Sequence, residues 1–249
     1  MIPLLITFVV LGLAVGSFLN VCIDRLPAGE SIVRGASHCP HCRHLLAPKD
    51  LVPVFSYLWL RGKCRYCGVP IPLRVPLVET ATAILFGFLY WKFGLSVELG
   101  IALTYASVLL VISVIDLEHQ LILNVVVYPA LPVALAISLL SPDPSLLNAL
   151  LGMAVGIGLI GLPFLIYRQG MGMGDMKFGA LIGLMVGFPH ILAALLLSVV
   201  SGGLIAGLLL LLRIKGRRDA IPFGPFMAAG TFVTLLWGQA ILDWYPPTL

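Results

Sequence analysis

Eight apolar runs dominate the chain, most of them ending at a charge or a proline. They lie near residues 1–21, 76–91, 99–115, 121–140, 148–167, 176–188, 190–212 and 226–245. A helix crosses the hydrocarbon core of a bilayer with roughly 20 residues, and most of these runs approach that length. No ten-residue stretch alternates between apolar and polar in the way a membrane β-strand must. The pattern predicts an all-α integral membrane protein with about eight transmembrane helices. The sixth run is short, and Gly187-Phe188-Pro189-His190 separates it from the seventh, so 176–212 reads either as two spans or as one kinked helix.

Composition agrees. The chain is 60% hydrophobic and only 10% charged, with a mean hydropathy of +1.07. Soluble domains carry about 25% charged residues, so this apolar excess has no single core to enter. An ordinary cytosolic enzyme, a disordered chain and a nucleic-acid binder working through the net charge of +4 are all excluded. The first run has no basic residues before it and no small-residue cleavage site after it, so it reads as a retained anchor rather than a signal peptide. Threading eight helices from an external N-terminus puts 22–75, 116–120, 168–175 and 213–225 on one side. Those loops and their borders hold every Lys and Arg except Lys92. The excess of positive charge assigns that side to the cytosol.

This divides the chain into a first helix (1–21), a polar insertion (22–75) and a polytopic membrane domain (76–249). The insertion is too small to be stable without a staple, and it supplies one. Cys39-Pro40-His41-Cys42 and Cys64-Arg65-Tyr66-Cys67 are two C-x₂-C knuckles. Their separation is close to the spacing of four-thiolate zinc sites, and a cytosolic loop is a poor place for structural disulfides. Four thiolates leave no open coordination position, so zinc here is structural. His38, His41 and His44 are spare donors that read as solvated loop residues. Cys22, at the membrane border, reads as a small buried hydrophobe.

Two acids lie where an apolar helix meets the cytosolic face. Asp116 closes the run 99–115, and Asp175 precedes the run 176–188. The two helices between them go out and back, so both acids return to the same side. Singly, Asp116 can be an interfacial helix terminator and Asp175 a helix N-cap. Together they suggest an acid dyad, in which one carboxyl accepts a proton while the other donates one. Such a pair can hydrolyse a peptide bond without a metal or a covalent intermediate. Glycines beside Asp175 would let an extended substrate approach the backbone. The rival reading is a proton-coupled transporter using the same two acids.

Gly172-Met173-Gly174-Asp175, with Lys177, resembles the GxGD signature of membrane aspartyl proteases, and 116–124 resembles the first-aspartate motif of prepilin peptidases. Gly16-Ser17-Phe18-Leu19-Asn20-Val21 with Arg25-Leu26-Pro27, Pro76-Leu77-Val78-Glu79, and Ile221-Pro222-Phe223-Gly224-Pro225-Phe226 extend the likeness in order along the chain. On these motifs the chain is similar to the bacterial bifunctional type IV prepilin leader peptidases and N-methyltransferases. The resemblance implies cleavage of the leader of type IV prepilins or pseudopilins by Asp116 and Asp175 at the cytosolic face of the inner membrane. Gly172, Gly174 and Lys177 would then lie near the substrate. It also implies methylation of the new N-terminus by S-adenosylmethionine, with Gly62, Lys63 and Glu79 as the candidate cofactor-binding residues. A member of the family that cleaves without methylating is the alternative. The implied partners are prepilins and membrane lipid, with no nucleic acid. One departure stands out: the family has proline before the last residue of its first-aspartate motif, and this chain has Leu123.

Overall fold

The computed structural model describes residues 2–141, 143–166, 172–216 and 219–244. Tyr167, Arg168, Gly170, Met171, Arg217, Arg218 and Tyr245, which fall in the loops and span ends named above, lie outside those residues. The described chain is helical: α1 Ile2–Arg25, α2 Phe55–Trp59, α3 Arg74–Phe93, α4 Val97–His119, α5 Asn124–Leu140, α6 Leu146–Ile166, α7 Met173–Val186, α8 His190–Leu211 and α9 Gly224–Asp243. All eight apolar runs become helices. Four of them, α1, α4, α8 and α9, are long and apolar enough to cross a membrane. The stretch 176–212 forms two helices rather than one, because α7 stops at Gly187, which takes a left-handed φ of 69°, and Pro189 precedes α8. Among the described residues the only β-pairing is two isolated bridges, His38 with Leu45 and Lys63 with Pro70.

The chain forms two compact units, Met1–Ser107 and Val108–Leu249, with α4 running from the first into the second. In the first unit α1 and α3 lie antiparallel in backbone contact. A Cβ on Gly12 would sit 2.7 Å from the Ala83 Cα, and one on Gly16 would sit 2.7 Å from the Glu79 Cα. Phe8 stacks on Tyr90 with ring centroids 4.8 Å apart. Polar bonds clamp the other end of the pair. The Asn20 side chain donates to the Val75 carbonyl at 3.0 Å, and Arg74 donates to Asn20 Oδ1 at 3.2 Å and to Asp24. The polar insertion emerges from this clamped end.

In the second unit α7 is the central element. Residues Phe178 to Val186 are all buried, so the helix is apolar on every side because every side is covered. It packs on α5, α6, α8 and α9. Its closest partner is antiparallel α6, where the Gly152–Gly183 and Gly156–Gly179 pairs bring backbone onto backbone. In lipid the hydrophobic effect does not drive helices together, and this close packing does so instead. The α8–α9 pair follows the same rule, with Gly230 against the Ala194 carbonyl and the Ser198 hydroxyl.

Candidate active site

Asp116 is in the last turn of α4, where it is 5% exposed. Its Oδ2 accepts a 2.7 Å hydrogen bond from the N–H of Gly224, the first residue of α9. The carboxylate therefore faces a helix N-terminus, where unpaired N–H groups and the helix dipole favour negative charge. Pro225 follows and starts the helix, as proline does well in a first turn. Gly224 must be glycine: a Cβ there would stand 2.7 Å from the Asp116 Oδ2.

Asp175 is the third residue of α7, one turn further into the helix than the sequence suggests. The N-cap is Gly172, and Asp175 closes the turn from inside, accepting from the Gly172 N–H at 3.3 Å and donating its own N–H to the Gly172 carbonyl at 3.1 Å. α7 packs on α9, whose first N–H binds Asp116, so the two acids are carried by one group of packed segments. Gly174 shows how they come together. The loop between α4 and α5 lays Ile122 against it, and a Cβ on Gly174 would be 2.9 Å from the Ile122 Cβ. Ile122 thus packs the start of α7 against the segment that follows Asp116. Gly172 is unlike Gly174: among the described residues no atom comes closer than 3.8 Å to where its Cβ would be. Lys177 does not pair with Asp175 but donates to Asn124 Oδ1 at 2.9 Å and lies 5.3 Å over the Tyr128 ring.

The first unit brings the four knuckle cysteines together. The sulfurs of Cys39, Cys42, Cys64 and Cys67 all lie within 4.8 Å of one another, with Cys39 and Cys67 at 3.9 Å. A tetrahedron with Zn–S bonds of about 2.3 Å has edges of about 3.8 Å, so the set fits zinc. The two knuckles have the same construction. The residue after the second cysteine, Arg43 or Gly68, takes a left-handed φ and donates its N–H to the first cysteine's carbonyl at 2.8 and 2.9 Å. The histidines stay out of the group: His44 stacks on Tyr66 at 3.6 Å, and His38 faces the Ala36 carbonyl.

A second clasp joins the second knuckle to the segment that follows the first. Asp50 accepts from Arg65 at 2.7 Å and from the Tyr66 hydroxyl at 3.0 Å. Burial pushes its carboxyl up, but the bonds from Arg65, Tyr66 and the Ala47 N–H outweigh this and hold it below the usual carboxylate range.

Residues 10–93 match the Bacterial Peptidase A24 N-terminal domain, and residues 103–207 match the Type IV leader peptidase family. A Bacillus subtilis protein named prepilin leader peptidase/N-methyltransferase is 36% identical over 236 residues, covering 95% of both chains. Proteins of the same name from Pseudomonas aeruginosa and Myxococcus xanthus are 36% identical over 265 residues and 38% identical over 217 residues. These matches cover 95% and 84% of this chain, and 91% and 64% of theirs. The chain belongs to the type IV leader peptidase family. No solved structure matches it.

For a leader peptidase of this family, Leu123 in place of proline has a simple account. Leu123 is the N-cap of α5, with φ −78° and ψ 129°, close to the φ that proline would impose. The leucine takes the proline conformation without the ring. Leu123→Pro is therefore expected to leave the fold intact and raise its stability by about 0.4–1 kcal/mol, read as a higher thermal midpoint in the same detergent. A fall of that size would show that the leucine side chain or N–H is needed. The two motif glycines should behave differently in the same assay. Gly174→Ala is expected to cost about 1–3 kcal/mol through its clash with Ile122, whereas Gly172→Ala should cost less than about 1 kcal/mol.

The remaining expected site residues all lie in the first unit. Glu79 is buried in α3, and its Oε2 accepts from the Val54 N–H at 2.7 Å. Gly62 has φ 70° and packs on the Tyr57 hydroxyl, and Lys63 beside it is exposed. One short segment, 54–62, thus connects Glu79 to Gly62 and Lys63. Two residues carry more of the geometry than sequence reasoning credited to them. Gly224 acts through its backbone N–H, and its sequence signal was its place in the motif 221–226, which named no role for it. Ile122 lay inside the motif 116–124 without being singled out.

Proposed function

We propose that this protein cleaves the leader from type IV prepilins or pseudopilins at the cytosolic face of the bacterial inner membrane and then N-methylates the exposed residue. The observation that carries the proposal is the placement of Asp116, bound to the start of α9, and Asp175, in the first turn of the adjoining α7, within one unit of a chain whose relatives are named for both activities. The ionised carboxyl of the pair takes a proton from water, and the water oxygen attacks the scissile carbonyl carbon. The protonated carboxyl gives its proton to the carbonyl oxygen. The C–N bond then breaks, and the amine leaves with a proton returned through the pair.

We assign zinc to Cys39, Cys42, Cys64 and Cys67, in the insertion 22–75. S-adenosylmethionine supplies an electrophilic methyl group to the new amine when bound. We assign its binding to Gly62, Lys63 and Glu79, because a carboxylate complements its cationic sulfonium and ammonium groups and an exposed lysine complements its carboxylate. Gly172, Gly174 and Lys177 are assigned to the substrate side of the dyad. The eight long helices are read as eight spans in contact with lipid, divided as 1–21 and 76–249 around the insertion. The transporter reading gains no support from relatives that match nearly the whole chain.

Intact-mass spectrometry of a prepilin incubated with the protein tests both activities. Loss of the leader plus one methyl, the methyl depending on S-adenosylmethionine, is the expected result. Loss of the leader alone would leave the peptidase and remove the methyltransferase. An untouched prepilin, across several substrates, would overturn the proposal.

A further inference from the structure

Outside the two sites, the most unusual surface in the first unit is α2. Three of its five residues, Phe55, Leu58 and Trp59, are 65%, 66% and 83% exposed, and Leu73 and Leu77 near the start of α3 are also exposed. A five-residue helix presenting a bare tryptophan and phenylalanine to water would be a liability. Its position can be measured along the helices. The charged cluster Asp24, Arg25 and Arg74 marks the end of the α1–α3 pair. Val54, the N-cap of α2, is tied by its N–H to Glu79, five residues further along α3 than Arg74. At about 1.5 Å per residue, that is about 8 Å inward from the cluster. Measured along α1 the depth is greater: Glu79 lies against Gly16, eight residues before Asp24, which is about 12 Å inward.

The headgroup layer is about 5–8 Å thick on each side, and interfacial helices sink their apolar faces about 5–10 Å into its boundary with the acyl chains. From this we propose that α2 is a membrane-surface anchor, with Phe55, Leu58 and Trp59 seated in the upper acyl region of the bilayer that α1 crosses. Arg61 follows α2 closely, is exposed, and faces the lipid phosphates as the chain turns back toward the second zinc knuckle. Val54 holds a left-handed φ of 61°, rare for a β-branched residue, and the buried Glu79 carboxylate pins it there. The anchor has its own fastening to α3, independent of zinc.

Trp59 reports its own surroundings. A variant with Trp91, Trp237 and Trp244 changed to phenylalanine, reconstituted in phosphatidylcholine–phosphatidylglycerol bilayers, isolates its fluorescence. Lipid brominated high on the acyl chain is expected to quench that emission by about twofold or more, lipid brominated near the chain end by less, and aqueous iodide hardly at all. Should the triple variant fail to fold, the loss of bromolipid quenching between the unchanged protein and Trp59→Phe gives the same quantity. Quenching by iodide with indifference to bromolipid would overturn the proposal. So would bromolipid quenching that disappears when a prepilin is added, since the patch would then be a substrate seat.

Discussion

Asp175→Asn is expected to give a folded, membrane-integrated protein whose rate of prepilin cleavage has fallen by about a thousandfold. The substitution keeps the size of the side chain and the acceptor for the Gly172 N–H, so α7 should start where it does now. What it removes is one half of a two-carboxyl proton exchange, and a positioned acid or base contributes about 10²–10⁴-fold. Asp116→Asn should match it, and the double variant should be little worse than either, because the two act as a unit. Gly224→Ala supplies a third arm: both acids remain, but the added methyl displaces the Asp116 carboxylate, so kcat should fall with KM nearly unchanged. Methylation of a pilin already cut should survive in all four variants. Cleavage by Asp175→Asn at the parent rate would end the two-aspartate account.

Stripping zinc should do the reverse. Structural zinc contributes about 10–16 kcal/mol in zinc-finger peptides, more than a small insertion can replace from its own packing. Chelation, or Cys64→Ser, is expected to raise hydrogen exchange sharply across 39–50 and 61–67 while 54–59 stays held through Glu79, to abolish methyl transfer and to spare leader cleavage, since both aspartates belong to the second unit. Unchanged exchange after verified metal loss would remove zinc from the folding of this segment. The Asp50 clasp makes the two contributions separable by pH. A carboxyl held below its ordinary value of about 3.9 adds stability above that value and loses it only as pH falls through the depressed folded value. Thiolates take up protons well above that range, so acid should release the metal first and the Asp50–Arg65–Tyr66 clasp afterwards.

The helices were readable from the sequence because lipid and water sort residues so sharply that each apolar run ends within about one turn of a helix end. The division at Gly187 was visible as a glycine and a proline, and whether it broke or kinked the helix depended on a φ that sequence does not display. The rank of the helices was hidden. The run that became α7 is no more apolar than its neighbours, yet it alone is buried on all sides, because burial among helices depends on partners and not on hydropathy. The acids were readable as costly charges near a boundary. Their meeting was not, since it depends on Ile122 finding Gly174 and on a backbone N–H at Gly224, and a main-chain donor leaves no mark in composition. The segment 51–60 was absorbed into a polar loop because five residues are too few to show a helical period.

The antiparallel pairs α6–α7 and α8–α9 each join helices that are neighbours along the chain, in contact through glycine. Such contacts close over short stretches of sequence, and short closures are fast. Each pair can therefore lock as its second helix leaves the insertion machinery, before the rest of the second unit exists. Asp116 is then made early but cannot acquire its bond to Gly224 until α9 has been made. The proposed protease site is then completed last, and a chain interrupted before α9 should be an inactive one.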